Sequence, residues 1–293
     1  MELVTIVDED NNKYAFKRYE GYSFTLDFVG NVRDQLDKIA HRQIKQDDVL
    51  VYTFPKSGTH WLYNTVMMLR SGSVSYHGTP IMMEFQDFNL IEEMPSPRTF
   101  GSHLLFRFLP DQMKSGKGKV ITITRHPKDI VVSMYHMLQQ LNKFVGYEGT
   151  FEGFVKYFLS EEYFFGSWFS WIKDLEEWKS PNCLCLSYSD FRKNTFENVV
   201  KIAKFLDVDL DEVFLRSVTQ NIQFEKLKDS HKETTPPNDH WKEVCDEGRL
   251  PIYRKGQSGD WKNMFTVAQN EHFDQIYAKK IAKLGLKNDF WYD

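Results

Sequence analysis

Residues 48–69 constrain this chain more than any other stretch. Asp48–Phe54 (DVLVYTF) is a nearly unbroken run of apolar and β-branched residues, the pattern of a strand covered on both faces. It passes directly into Pro55-Lys56-Ser57-Gly58-Thr59-His60-Trp61 and then into the helical stretch Leu62–Leu69. A buried strand that feeds a glycine turn and a helix gathers unpaired N–H groups and the positive end of a helix dipole at one spot. An anion is stabilised there. Lys56 adds a full charge, and Ser57 and Thr59 add hydroxyl donors. The chain contains no G-x-x-x-x-G-K-[ST], which excludes a standard nucleotide triphosphatase loop.

Two more runs read as strands: Lys119–Thr124 (KVITIT) and Cys183–Ser187 (CLCLS). Helical patterns lie between and after them. Phe196, Val199, Val200, Ala203 and Leu206 share one helix face. Strand–helix alternation predicts an α/β fold with a central parallel β-sheet flanked by helices. No repeat or low-complexity tract divides the chain, so residues 1–293 read as a single domain. The polar stretch Lys228–Gly248, with Pro236-Pro237 inside it, reads as a surface loop or lid.

Charge and cysteine usage narrow the function. A net charge of −4 argues against a general nucleic-acid binder, which needs a basic face. Any polyanion must be gripped by a local cluster of cations. Cys183, Cys185 and Cys245 form neither a C-x-x-C pair nor an even disulfide framework, as expected of free thiols in a reducing cytosol. The N-terminus is acidic at Asp8-Glu9-Asp10 and lacks the features of a signal peptide. No apolar run approaches the roughly 18 residues of a membrane span. A cytoplasmic protein without a membrane contact is expected. The histidines show no H-x-x-x-H spacing and no cysteine partner set, so no metal is expected.

The loop Phe54-Pro55-Lys56-Ser57-Gly58-Thr59-His60-Trp61 resembles the 5′-phosphosulfate loop of the cytosolic sulfotransferases, usually Tyr-Pro-Lys-Ser-Gly-Thr-Thr-Trp. A second segment, Thr124-Arg125-His126-Pro127-Lys128-Asp129 followed by Ser133, resembles that family's 3′-phosphate segment. Arg254-Lys255-Gly256 with Gly259-Asp260-Trp261-Lys262 resembles a third. Lys262, Thr266, Val267 and Glu271 look like the family's short dimerisation motif, which implies a homodimer. The matches run in order from about Asp48 to Glu271.

This resemblance implies a P-loop-like nucleotide-binding core. The implied donor is 3′-phosphoadenosine 5′-phosphosulfate (PAPS), with 3′-phosphoadenosine 5′-phosphate (PAP) as product. Lys56, Ser57, Gly58, Thr59, His60 and Trp61 would hold its 5′ end. Arg125, Ser133, Arg254, Lys255 and Gly256 would hold the 3′-phosphate. Trp61 and Phe224 would stack on the adenine, and Tyr188 would touch the base or sugar. His103 aligns with the family's catalytic histidine, and its imidazole suits removal of a hydroxyl proton near neutral pH. Lys56 would stabilise the leaving oxygen, and Ser133 would restrain Lys56 until an acceptor arrives. Phe100, Ser102, His103, Phe106, Phe144, Phe165 and Trp168, with Leu104, Phe108 and Phe164, would line an aromatic pocket for a small hydrophobic hydroxylated substrate. Asn142 lies near the place where amine-selective relatives carry an acid, which favours neutral phenols, steroids or alcohols. Three departures stand out: His60 replaces a threonine, Gly101-Ser102 replaces Lys-Thr before His103, and Ile222-Gln223 replaces Thr-Ser before Phe224. Two other readings remain: a Mg²⁺-dependent phosphotransferase, and a non-catalytic binder of nucleotide and hydrophobic ligand.

Overall fold

The structure, a computed structural model, describes residues 2–7, 13–26, 28–141, 147–160, 162–178, 180–209, 211–235, 245 and 248–286. Its centre is a four-stranded parallel sheet in the order Thr99–Ser102, Val49–Tyr52, Lys119–Thr124, Cys183–Ser187. The first three strands, β1 (Glu2–Val7), β2 (Lys13–Tyr19) and β3 (Tyr22–Phe24), form a separate antiparallel sheet that sequence reading did not anticipate. The central strands are β4 (Val49–Tyr52), β5 (Thr99–Ser102), β6 (Lys119–Thr124) and β7 (Cys183–Ser187). Register is parallel throughout, with Val49 opposite both Thr99 and Lys119, and Val120 opposite Cys183.

The near-continuous hydrophobicity of β4 follows from helices on both faces. Leu50 and Tyr52 join one core with Phe100 and Val120, whereas Val49 and Val51 join a second core with Leu62, Val66 and Ile121. Successive side chains point to opposite faces, so a strand buried on both sides has no polar face. The ends of β4 and β5 are tied by a buried ion pair, Arg98 Nη2 to Asp48 Oδ2 at 2.5 Å.

The helices are α1 (Val32–Ala40), α2 (Thr59–Ser71), α3 (Phe88–Glu92), α4 (Asp111–Lys114), α5 (Pro127–Leu138), α6 (Phe151–Leu159), α7 (Trp168–Glu177), α8 (Tyr188–Lys193), α9 (Thr195–Leu206), α10 (Glu212–Asn221), α11 (Phe224–Thr234) and a last helix, Val267–Leu284. The predicted stripe lies on α9, but its buried line runs through Asn198, Val199, Ile202 and Ala203, slightly rotated from the predicted face. Asn198 can be buried because its amide donates to Asp190 Oδ2 and Asn194 O, each at 2.9 Å. The polar stretch from Lys228 is not a loop at its start, since α11 continues to Thr234. Only Leu227 and His231, four residues apart, carry its buried face, too thin a periodicity to stand out in a charged run. Residues 236–244 and 246–247 of the expected lid lie outside the described residues, as do Phe144 and Asn142. Among the described residues no helix is long and apolar enough to cross a membrane.

Candidate active site

The loop after β4 has the geometry an anion requires. Lys56 sits at φ 66° and Gly58 at φ 113°, both left-handed. The lysine is the exceptional one, because a non-glycine residue held there costs about 1–3 kcal/mol and persists only where its surroundings enforce it. Gly58 caps α2 without a side-chain bond, and the first turn of that helix carries no acid. The Ser57 hydroxyl and the Trp61 indole N–H are buried without a hydrogen-bond partner among the described residues. Open amides, a positive dipole end and two uncommitted donors fit a phosphate-type ligand.

Beyond β5, His103 is fixed from two sides. Its backbone N–H donates to Glu84 Oε1 at 2.6 Å, and its ring Nδ1 lies 2.7 Å from the Thr53 carbonyl. A carbonyl only accepts, so Nδ1 carries the proton and Nε2 keeps its lone pair. Burial pushes the His103 pKa down to about 4, against the raising effect of the Thr53 bond. The ring is therefore neutral near pH 7. Burial, with the charges of Arg125 and Arg254, lowers Lys56 to about 7. Its ammonium lies 3.2 Å from Met137 Sδ, one turn along α5 from Ser133.

The second and third sequence segments are wired together. Asp129 accepts from the Gly259 N–H at 2.7 Å and the Trp261 N–H at 3.1 Å. The buried Lys128 ammonium reaches Asp274 at 2.5 Å and lies 4.5 Å from the centre of the Trp261 ring. Asp260 in turn receives Arg254 Nη2 at 2.5 Å and Lys255 Nζ at 2.9 Å. Burial works against this carboxylate, but hydrogen bonds from Arg254, Asn263 and Lys255 outweigh it and hold its pKa well below the usual range. Arg125 donates to Lys56 O and Gln257 O, each at 2.9 Å, and lies over the Tyr188 ring. Segments more than a hundred residues apart thus converge on one cavity of about 1550 Å³.

That cavity brings together Lys56, Gly58, Thr59, His60, Trp61, His103, Arg125, Ser133, Phe165, Tyr188, Phe224, Arg254, Lys255 and Gly256. Ser57 lies in the loop beneath, fully buried. Trp61 stacks on Phe191 at 4.2 Å and meets Tyr188 edge-on. Other expected pocket residues are not on the wall. Phe100 is in the core under the sheet, Trp168 packs on Phe169 and Tyr277, and Phe106 packs on Trp178 at 4.6 Å. Ser102 is fully buried, its hydroxyl accepting from the Leu104 N–H. Proximity to His103 in sequence misled here: Phe100 and Ser102 share a strand parity, whereas His103 lies just past the strand end. Leu104 and Phe108 are likewise core, while Phe164 does line the cavity. Met82, Phe85, Met134, Met137 and Tyr157 complete that wall and carried no sequence signal beyond being apolar or aromatic.

Gly256 shows how tightly the Phe224 side of the cavity is built. It has φ 61°, and a Cβ there would stand 2.2–2.8 Å from three atoms of the Phe224 ring. Gly256→Ala is expected to lower stability by roughly 2–4 kcal/mol through backbone strain and overpacking. The same change should displace Phe224 and weaken PAP binding by at least about tenfold, or 1.4 kcal/mol. Thermal melting and calorimetric titration check both effects.

One cavity lined by the Lys56 loop, by Arg125, Arg254 and Lys255, and by a neutral imidazole among apolar side chains fits a group-transfer enzyme of the α/β class. The sulfotransferase domain family matches residues 46–285, and this chain belongs to that family. It is 32% identical over 269 residues to human Sulfotransferase 4A1, covering 88% of this chain and 89% of that protein. It is 34% identical over 274 residues to Sulfotransferase 1C2 of Oryctolagus cuniculus, covering 88% and 90%. Its fold is similar to mouse sulfotransferase SULT7A1 solved with PAP (TM-score 0.75, 29% identity, 91% of this chain and 95% of that one). Retinol dehydratase, solved with androsterone and PAP, shares the fold at 18% identity (TM-score 0.76, covering 94% and 91%).

Proposed function

We propose that this chain transfers a sulfuryl group from PAPS to the hydroxyl of a small, neutral, hydrophobic acceptor such as a phenol, steroid or alcohol. One observation carries the reading: His103, held neutral with its Nε2 free to accept, shares a cavity with the Lys56 loop and the Arg125, Arg254 and Lys255 cluster. When bound, PAPS supplies the sulfuryl group and leaves as PAP. His103 Nε2 takes the acceptor proton, and Lys56 offers its charge to the oxygen left behind. Met137, next to Ser133 on α5, keeps the ammonium oriented within the cavity. Arg125, Ser133, Arg254, Lys255 and Gly256 would grip the 3′-phosphate, with Asp260 positioning the two cations. Trp61, Phe224 and Tyr188 would surround the base. Apolar walls at Met82, Phe85, Phe164 and Phe165 favour an uncharged acceptor.

The test is transfer of labelled sulfate from PAPS to a panel of phenols, steroids and aliphatic alcohols in EDTA. Transfer to at least one member supports the reading. Transfer that requires Mg²⁺ and a nucleoside triphosphate would replace it with the phosphotransferase. Tight PAP binding with no transfer to any member would leave the non-catalytic binder. We further place the chain in the cytoplasm as one catalytic domain over residues 1–293. It would pair as a homodimer through Lys262, Thr266, Val267 and Glu271. Val267 is 75% exposed at the start of the last helix, an apolar residue suited to an interface. A monomer in sedimentation velocity at micromolar concentration would remove the dimer.

A further inference from the structure

Three methionines line the cavity: Met82, Met134 and Met137. Two of them are shut away. Met82 is 8% exposed, with its sulfur pressed against Gly101, and Met134 is 1% exposed. Met137 is only half-buried on the same wall. Among the described residues the Lys56 ammonium donates to one acceptor, Met137 Sδ, at 3.2 Å. A thioether accepts weakly. Arg125 and Arg254 repel that ammonium, and no carboxylate among the described residues pairs with it. A cation with cationic neighbours is thus left with a weak partner.

We propose that Met137 is a redox modification site: hydrogen peroxide converts its thioether to the sulfoxide, which sequesters Lys56 and stops sulfuryl transfer. The inference rests on the role given to Lys56 in that transfer. Peroxide is the only co-reactant. A sulfur lone pair attacks one peroxide oxygen, the O–O bond breaks and an S–O bond forms. The other oxygen leaves with both protons as water, so sulfur is oxidised and peroxide reduced.

Oxidation puts a polar S–O group beside the ammonium in place of a weak acceptor. Its oxygen accepts a charge-assisted hydrogen bond, the stronger kind. Lys56 is then held against α5 and withdrawn from the oxygen that departs with the nucleotide. The cysteines compete poorly for peroxide. Burial raises Cys183 and Cys185 to about 12, so each holds almost no thiolate. Cys245 is buried, and its Sγ donates to Arg249 O at 2.9 Å.

Treatment of the parent and Met137→Leu with hydrogen peroxide at pH 7.5, with and without PAP, tests this. Peptide mass spectrometry maps every sulfoxide, and each protein is compared with its own untreated rate. The parent should lose at least about tenfold in rate, in step with Met137 sulfoxide, because removing such a charge costs about 10²–10³. PAP should slow both oxidation and loss by filling the cavity. Methionine sulfoxide reductases of both epimer specificities should restore the rate, whereas dithiothreitol should not. Met137→Leu should keep most of its own rate. Met137 sulfoxide without loss, loss that follows another residue, or equal loss in Met137→Leu would overturn the inference and leave the transfer reading standing. An untreated parent that transfers sulfate to no acceptor would remove that reading and this inference with it.

Discussion

His103→Ala is expected to lower sulfuryl transfer by roughly 10²–10⁴-fold, the usual contribution of a positioned general base. PAP affinity should stay unchanged, because the ring touches the Thr53 carbonyl and the edge of Phe165 rather than the nucleotide end. The defect should persist from pH 6 to 8, since a ring with a pKa of about 4 is already neutral across that window and has no proton to lose. Rates at saturating donor and acceptor, together with PAP titration of the same variant, separate the two effects. A rate within about tenfold of the parent would show that the acceptor proton leaves by another route.

Lys56→Met is the second large effect. Removing a preorganised charge from a transferring group costs about 10²–10³ in rate. Methionine keeps the length of the side chain and its packing, so the loss reports the charge. The pKa of about 7 sets a further signature. Below pH 7 the ammonium is already charged and binds an anion directly. Above it, most molecules must first take up a proton, so PAP affinity should fall as pH rises. At pH 8 binding should draw in close to one proton. Calorimetry in buffers of different ionisation enthalpy measures that uptake, and Lys56→Met should abolish it. Uptake that survives in the variant would place the proton on another group.

Glu84 illustrates what a linear reading misses. It is almost fully buried, burial raises its pKa to about 7, and it accepts the His103 backbone N–H. Nothing in Met82-Met83-Glu84-Phe85 marks it, because the partner is nineteen residues away. Asp129 and Asp260 lie inside recognisable segments, yet their tasks, bonding the 259–261 turn and holding Arg254 and Lys255, involve partners that no spacing names. The antiparallel sheet β1–β3 was invisible for a similar reason, since short strands acquire meaning only when they pair.

By itself the sequence determined the local physics. A doubly covered strand, a glycine turn and a helix start make an anion cradle wherever they occur, and their hydrophobic pattern sets the parallel sheet. The resemblance of three charged segments to the sulfotransferase family implied a nucleotide with phosphate at both ends. Only the tertiary structure decided which side chains share a surface. It put Phe165 on the cavity wall and Phe100 beneath the sheet. It turned Lys56 toward Met137 and gathered Asp129, Asp260 and Arg254 around one turn. Backbone preference and burial pattern act over a few residues and are legible in order. The neutrality of His103, the lowered pKa of Lys56 and the packing of Met82 against Gly101 are sums over neighbours that only the folded chain brings within a few ångströms.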